Sequence, residues 1–304
     1  MKFELTILGC GGAIPTLDRK PTAQYLNIQE RHFLIDCGEG TQVQLRKYHC
    51  KFSKIDRIFI SHLHGDHFLG LFGYLSTLSL LGRKKTIHIH APKDLKKLLA
   101  SHFSISGKQF NFDINFNELN FSKSTLIFED SILQITSFPV DHSIQCCGFI
   151  FKEKTSKRSM IKSKIKELNL SIEAIKSFKN RQNFKLDGKL IDFRDVTKPG
   201  NRSRSYAYCA DTCYNEDIIP YIKYADLLYH ESTFLEDRKD KAQMTKHSTA
   251  NQAATIASKA NVKELLIGHF SARYEEIDGF LEEAQKVFKN TISCYDGYIH
   301  SIKI

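Results

Sequence analysis

The chain has 304 residues, 41% hydrophobic and 26% charged, which is ordinary for a soluble globular protein with one large core or two modest ones. No apolar run approaches the roughly 18–20 residues that a membrane span needs, no signal-peptide pattern opens the chain, and the eight cysteines are scattered with no CxxC pair, so a cytoplasmic protein without a disulfide framework or membrane partner is expected. The net charge of +10 is unevenly placed: residues 152–189 hold ten lysines and two arginines against four acidic residues, a surplus of +8 that points to a polyanionic partner.

In chain order, strand-like patterns come first, at 3–8, 23–28, 32–35 and 58–60. The turn Gly9-Cys10-Gly11-Gly12 lets backbone approach closely, though as a phosphate loop its signal is weak. The fourth strand runs straight into His62-Leu63-His64-Gly65-Asp66-His67, four good metal ligands within six residues. On an extended segment residues two apart point the same way, so His62 and His64 suit one ion. Asp66 and His67 lie past Gly65, where the chain can turn, and suit a second. Imidazole with carboxylate favours zinc, manganese or iron over calcium or magnesium. Helical patterns follow at 69–80 and 95–102, with a strand at 86–89 between them.

The second half repeats this grammar with strands at 126–128, 133–138, 146–151, 205–209, 227–229 and 264–267, and helices at 249–260 and 277–288. It closes with strand-like runs at 291–295 and 298–304 around Asp296-Gly297, a hairpin signal. Strands and helices alternate throughout, so the fold class is α/β. The basic stretch 152–195 interrupts the pattern. Ile161, Ile165 and Leu168 fit one short amphipathic helix, but the segment is polar with little to bury, and reads as an insertion projecting from the core. Several strand ends carry a ligand-type residue: Asp141-His142, Asp211, His230-Glu231 and His269. Sites gather at the carboxyl ends of strands, so these distant residues are expected to converge with the first motif. Cys209 and Cys213 flank Asp211 and read as small buried apolar residues. His32, His49, His88, His90, His102 and His300 fit none of these pieces and read as surface or core histidines.

Taken together, these pieces resemble the metallo-β-lactamase superfamily and, within it, the short-form ribonuclease Z family. The residues that carry the resemblance run almost end to end: 8–16, Asp36-Cys37-Gly38-Glu39-Gly40-Thr41-Gln42, 61–67, His142, Ala210-Asp211-Thr212, His230-Glu231, Lys246-His247-Ser248-Thr249-Ala250 and Gly268-His269-Phe270-Ser271-Ala272-Arg273-Tyr274. The motif at 62–67 alone identifies the superfamily. The last two stretches point to ribonuclease Z.

The resemblance implies a single domain over 1–304, a four-layer αββα sandwich of two mixed sheets, with 152–195 as an inserted basic arm that grips tRNA. It implies two Zn2+ per subunit, with Mn2+ or Fe2+ as substitutes. His62, His64 and His142 would hold the first ion, Asp66, His67 and His269 the second, and Asp211 would bridge them. Asp66 would also take the proton of the attacking water, and His247 would give one to the leaving 3′-oxygen, with His230 or Glu231 tuning it. Ser271 and Arg273 would contact phosphate. The implied reaction removes the 3′ trailer from precursor tRNA, leaving a 3′-hydroxyl on the tRNA and a 5′-phosphate on the trailer. A homodimer is implied because in this family one subunit's arm serves its partner's site. The Gly/Pro-rich stretch usual in that arm is absent here, replaced by 168–178. The alternative is a small-molecule phosphodiesterase or lactonase of the same fold, which shares the ligands but has no use for the basic arm.

Overall fold

The computed structural model describes residues 1–105, 107 and 110–303, and its strands gather into two seven-stranded sheets with three small two-stranded ribbons. In chain order the main strands are Phe3–Gly9 (β1), Ala23–Ile28 (β2), Arg31–Ile35 (β3), Arg57–Phe59 (β4), Ile87–Ala91 (β5), Ile114–Glu118 (β6), Thr125–Glu129 (β7), Leu133–Pro139 (β8), Cys147–Glu153 (β9), Ser205–Cys209 (β10), Leu227–Glu231 (β11), Glu264–Gly268 (β12), Thr291–Ser293 (β13) and Ile299–Ser301 (β14). The first sheet runs β14-β1-β2-β3-β4-β5-β6 and the second β13-β12-β11-β10-β9-β8-β7. Both are mixed: β14 through β3 pair antiparallel and β3 through β6 parallel, and β10 through β13 pair parallel.

The period-two alternation of these strands sorts their side chains into layers. Phe33 of β3 and Phe59 of β4 face the second sheet, with ring centroids 5.7 Å from Phe151 and 5.4 Å from Phe149 respectively. Their neighbours Leu34 and Ile58 point the other way, into a cluster with Leu71, Tyr74, Leu75 and Leu78 of helix Gly70–Leu80 and Leu95 and Leu99 of helix Asp94–Ile105. On the second sheet the covering helices are Ala250–Lys259 and Asp278–Val287, which bury Ala253, Ala254, Ala257, Phe280 and Ala284. Parallel strands covered on both faces place their carboxyl ends together at one edge of each sheet, where loops are free to carry function.

The expected hairpin at Asp296-Gly297 does not form. β13 pairs with β12 of the second sheet, whereas β14 pairs with β1 of the first. The reason lies in Asp296, whose carboxylate accepts from Cys10 N–H (3.1 Å), Lys20 N–H (2.9 Å) and the Gln44 amide (3.2 Å). Those contacts pull the turn onto the loops of the first sheet, and Gly297 takes the positive φ of 93° that the change of direction needs. β6 and the helices Thr41–Lys47 and Lys239–Thr245 also lie outside the elements read from the sequence.

Residues 129–134 and 152–204 form a second compact unit. It contains helices Lys162–Glu167 and Ile172–Lys179, a hairpin of Phe184–Leu186 with Lys189–Ile191, and a short ribbon of Ser159–Met160 with Thr197–Lys198. The expectation of one helix with little to bury is corrected here: Leu170, Ala174, Phe178 and Val196 form a core of their own, packed by Ile165, Leu168, Phe184 and Ile191. Ser171 caps the second helix by accepting from Ala174 N–H at 3.1 Å. Asp187-Gly188, both at positive φ, makes the hairpin turn. Glu153 and Arg204 form a buried two-pronged ion pair at 2.7 and 2.8 Å.

Candidate metal centre

Strand ends deliver the ligands. Past β4 the chain leaves regular structure through Ser61-His62-Leu63, and His64, itself extended (φ −75°, ψ 144°), stands at the N-cap position of the short helix Gly65–Phe68. The His62 and His64 rings approach each other at 3.1 Å (Nε2 to Nδ1), while Asp66 and His67 sit in the helix's first turn, with the His67 ring centroid 4.1 Å from that of His62. His142, three residues beyond β8, brings Nε2 to 3.0 Å from His64 Nδ1. Asp211, two residues beyond β10, is buried between the groups. Its Oδ2 lies 3.6 Å from His62 Nε2 and 3.4 Å from His67 Nε2, and its Oδ1 3.3 Å from His269 Nε2. His269, just after β12, also stands 3.3 Å from Asp66 Oδ2 and 3.3 Å from His67 Nε2. Three overlapping donor groups result, His62–His64–His142–Asp211, Asp66–His67–His269 and Asp211–His247–His269, each with its ligand atoms within 4.8 Å of one another.

The outward ring nitrogens of four of these histidines are already engaged. His67 Nδ1–H donates to Asp36 at 2.8 Å, and His62 Nδ1–H to Ser61 Oγ at 3.0 Å, whose own proton goes to Asp36 at 2.9 Å. His142 Nδ1–H donates to the Lys246 carbonyl at 2.8 Å, and His269 Nδ1–H to Thr233 Oγ1 at 2.9 Å. With Nδ1 protonated, each neutral ring presents a bare lone pair at Nε2, and these lone pairs point at one another and at carboxylate oxygens. Such a cluster repels itself unless a cation sits among the donors. Nitrogen and carboxylate donors in this number fit borderline divalent ions. The carboxylates supply the negative half of the site. Burial opposes charge on His67, yet Asp211, Asp66 and Asp36 around it raise its pKa well above the ordinary value, so positive charge is favoured here, whether a proton or a metal ion carries it. Burial likewise opposes ionisation of Asp66, but His67 and His269 hold it below the usual carboxylate range.

His247 completes the pocket from the loop after helix Lys239–Thr245. Its Nδ1 lies 2.9 Å from Glu231 Oε1 and its ring is 5.1 Å from that of His142. Glu231 is immobilised by backbone N–H groups of Thr212 (3.1 Å), Thr233 (2.9 Å) and Ser248 (3.1 Å), and it accepts from Thr233 Oγ1 at 2.8 Å. Burial works against a charged His247, but the Glu231 carboxylate lifts its pKa to about 9. Of the two residues read as tuning His247, only Glu231 reaches it. His230 is buried with Nδ1 donating to the Glu231 carbonyl at 2.7 Å. Lys246 itself sits at φ 58°, ψ 47°, and its ammonium bonds Asp141, the residue before His142, at 3.1 and 3.2 Å.

Ser271 and Arg273 line a small cavity with Gly12, Ala13 and Ile14, and the Arg273 guanidinium is 3.3 Å from Ser271 Oγ. Ala13 N–H donates to Asp66 Oδ2 at 2.8 Å, so the Gly-rich turn touches the second donor group directly. Cys209 is buried as expected, but Cys213 is only half-buried and donates to Asp141 Oδ2 at 2.9 Å. The six histidines set aside lie outside every donor group found among the described residues. The residues that the sequence leaves without a role are Asp36, Ser61, Thr233 and Lys246. Asp36 follows β3 as Asp211 follows β10, so the strand-end rule, applied to the first half as well, finds it.

The family model described as Anti-Pycsar protein Apyc1 matches residues 3–169, the part of the chain that includes His62, His64, Asp66, His67 and His142. Ribonuclease Z of Bacteroides thetaiotaomicron is 44% identical over 292 residues, spanning 96% of this chain and 92% of its own length. The crystal structure of the short form of human tRNase Z matches with a TM-score of 0.72 at 26% identity, covering 99% of this chain and 100% of that one. A metallo-β-lactamase-fold protein of Bacillus subtilis matches with a TM-score of 0.70 at 19% identity, again over 99% of this chain and 100% of that one, and bears on the fold alone. The chain therefore belongs to the family of that model over residues 3–169 and, over nearly its full length, to the ribonuclease Z family on the metallo-β-lactamase fold.

Proposed function

We propose that this chain is a cytoplasmic tRNA 3′-processing endoribonuclease that works with two zinc ions per subunit. His62, His64 and His142 would hold one ion, Asp66, His67 and His269 the other, with Asp211 serving both. Mn2+ or Fe2+ would satisfy the same donors. The observation that carries the reading is the set of inward-facing imidazole nitrogens, each with its outer nitrogen already engaged, converging on Asp211. When bound, the ions supply positive charge against the scissile phosphate and make water acidic enough to attack at neutral pH.

The chain's own groups handle the protons. Asp66 is steadied by Ala13 N–H on Oδ2, which leaves Oδ1 to take the proton of the attacking water. His247 has Nδ1 fixed on Glu231, so Nε2 carries the proton given to the leaving 3′-oxygen. The Glu231 carboxylate beside Nδ1 favours the charged ring, which is the form that has a proton to give. The phosphorus–O3′ bond breaks as the water oxygen bonds phosphorus, leaving a 3′-hydroxyl on the tRNA and a 5′-phosphate on the trailer. Ser271 and Arg273 contact a flanking phosphate. The +8 surplus over 152–189 supports sequence-blind attraction of that arm to tRNA phosphates. A homodimer follows if the arm serves a partner's site.

The small-molecule phosphodiesterase or lactonase reading is not favoured, since the full-length relative is a ribonuclease Z. The test is incubation of zinc-loaded protein with a 3′-extended precursor tRNA, mapping product ends beside an Asp66→Ala control. A single cut next to the discriminator base, abolished in the control, is expected. Hydrolysis of small phosphodiesters with no cut in the precursor would overturn the reading.

A further inference from the structure

A cavity of about 350 Å³ opens beside His247, lined also by Asp141, Cys213, Tyr214, Gln243, Lys246 and Gln252. Its size falls within the roughly 300–1,000 Å³ typical of small-ligand sites. Its walls offer the phenol ring of Tyr214, the imidazole of His247, two carboxamides, the Cys213 thiol and the Lys246 ammonium already paired with Asp141, with no aliphatic side chain among them. Such a lining suits a flat π-system with polar edges and not an acyl chain.

Tyr214 is fixed before any ligand arrives. Its hydroxyl donates to Glu216 Oε1 at 2.6 Å and accepts from Lys259 Nζ at 3.3 Å, and Lys259 in turn pairs with Glu216. The three side chains lock one another, so a ligand stacking on the ring loses little conformational freedom in doing so. Gln252 is oriented as well. Its Oε1 accepts Thr249 N–H at 3.0 Å in the capping box of helix Ala250–Lys259, which leaves Nε2 as its donor.

Position decides what the ligand is. His247 forms one wall of the cavity, and its Nε2 serves the oxygen that leaves phosphorus. The nucleoside bearing that oxygen must therefore lie against His247. We infer that this cavity holds the last nucleoside of the tRNA product, with Tyr214 as the platform on which its base stacks and Gln243 and Nε2 of Gln252 at the base edge. The inference rests on the tRNA-processing reading above. An aromatic platform accepts every base, because each has a π-face, while the amides tilt the preference among them.

The test crosses enzyme with substrate. Precursor tRNA carrying either a normal or an abasic residue immediately 5′ of the cut is cleaved by wild type, Tyr214→Phe and Tyr214→Ala. Removing the base should lower wild-type kcat/KM by roughly five- to 150-fold, the worth of one stacked base. Tyr214→Ala should lose a similar factor on the normal precursor and nothing further on the abasic one. Tyr214→Phe keeps the ring and should restore most of the loss. An equal penalty from Tyr214→Ala on both precursors, or no penalty for the missing base in wild type, overturns the inference. Tyr214→Leu repeats the comparison should the alanine variant misfold. Bis(p-nitrophenyl) phosphate turnover by wild type separates the two levels of failure: hydrolysis of it without cleavage of either precursor removes the tRNA reading itself.

Discussion

Two buried carboxylates that are not read as ligands control four of the histidines. Asp36 takes His67 directly and His62 through Ser61, and Glu231 takes His247 directly and His269 through Thr233. In each case a hydroxyl relays between a ring and a carboxylate, so ring orientations are set in pairs. Asp36→Asn keeps the volume but gives His67 a weaker partner, and should weaken zinc binding about 10–100-fold, read by chelator competition. His247→Ala should retain both ions by elemental analysis while cutting precursor tRNA about 10²–10⁴-fold more slowly. Loss of metal in that variant would make His247 a ligand. A further residue-scale effect lies away from the centre. His90 stacks on Phe59 at 4.9 Å, and burial pushes its pKa down to about 3. The unfolded chain then binds the proton first, so His90 adds no penalty above pH 6.5 and an increasing one as pH falls toward 3. Urea unfolding at pH 7.5 and pH 5 should show His90→Phe losing about 2 kcal/mol less than wild type over that interval.

At the scale of elements, the informative departures are turns. Lys246 ends its helix in the left-handed region, where glycine is usual, and this conformation both presents its carbonyl to His142 and starts the loop that bears His247. The Asp296 turn likewise ties the two sheets by binding backbone donors from Cys10 and Lys20. Asp296→Ala strands those donors and should lower unfolding free energy by about 1–3 kcal/mol, visible as a reduced denaturation midpoint with an unchanged metal content. These turns explain what the sequence reveals and what it hides. Strands such as Phe3–Gly9 and Leu227–Glu231, and the convergence of the candidate donor residues, are legible because alternation and strand-end position are local. The destinations of β13 and β14 are not, since Asp296-Gly297 looks the same whether its flanks pair with each other or with separate sheets. Short helices such as Thr41–Lys47 hide for a different reason: with seven residues they show barely two turns of periodicity. The core of residues 152–204 escapes notice because Ala174, Phe178, Phe184 and Val196 are spread among lysines and meet only after folding, although Asp187-Gly188 marks the hairpin.

For the whole molecule, charge and chemistry are divided between two units, one with the donor groups and one with most of the positive surplus. Changing Lys162, Lys166, Lys176 and Lys179 to glutamine preserves the arm's apolar core while removing four charges. The plot of log affinity for tRNA against log salt should flatten by about 0.7–0.9 for each phosphate that the arm ceases to neutralise, and an unchanged slope would mean that these lysines do not meet the backbone. Within the first unit, the donors come from His62 through His269, and the closing strand Ile299–Ser301 lies against Phe3–Gly9. Ribosomes release a chain from its N-terminus onward. The first sheet can begin to order early, with His62, His64, Asp66 and His67 in place, but Asp211 and His269 emerge much later. A half-made chain therefore holds one wall of the donor cluster and none of the groups complete, so the site can form only after nearly the whole chain has been released.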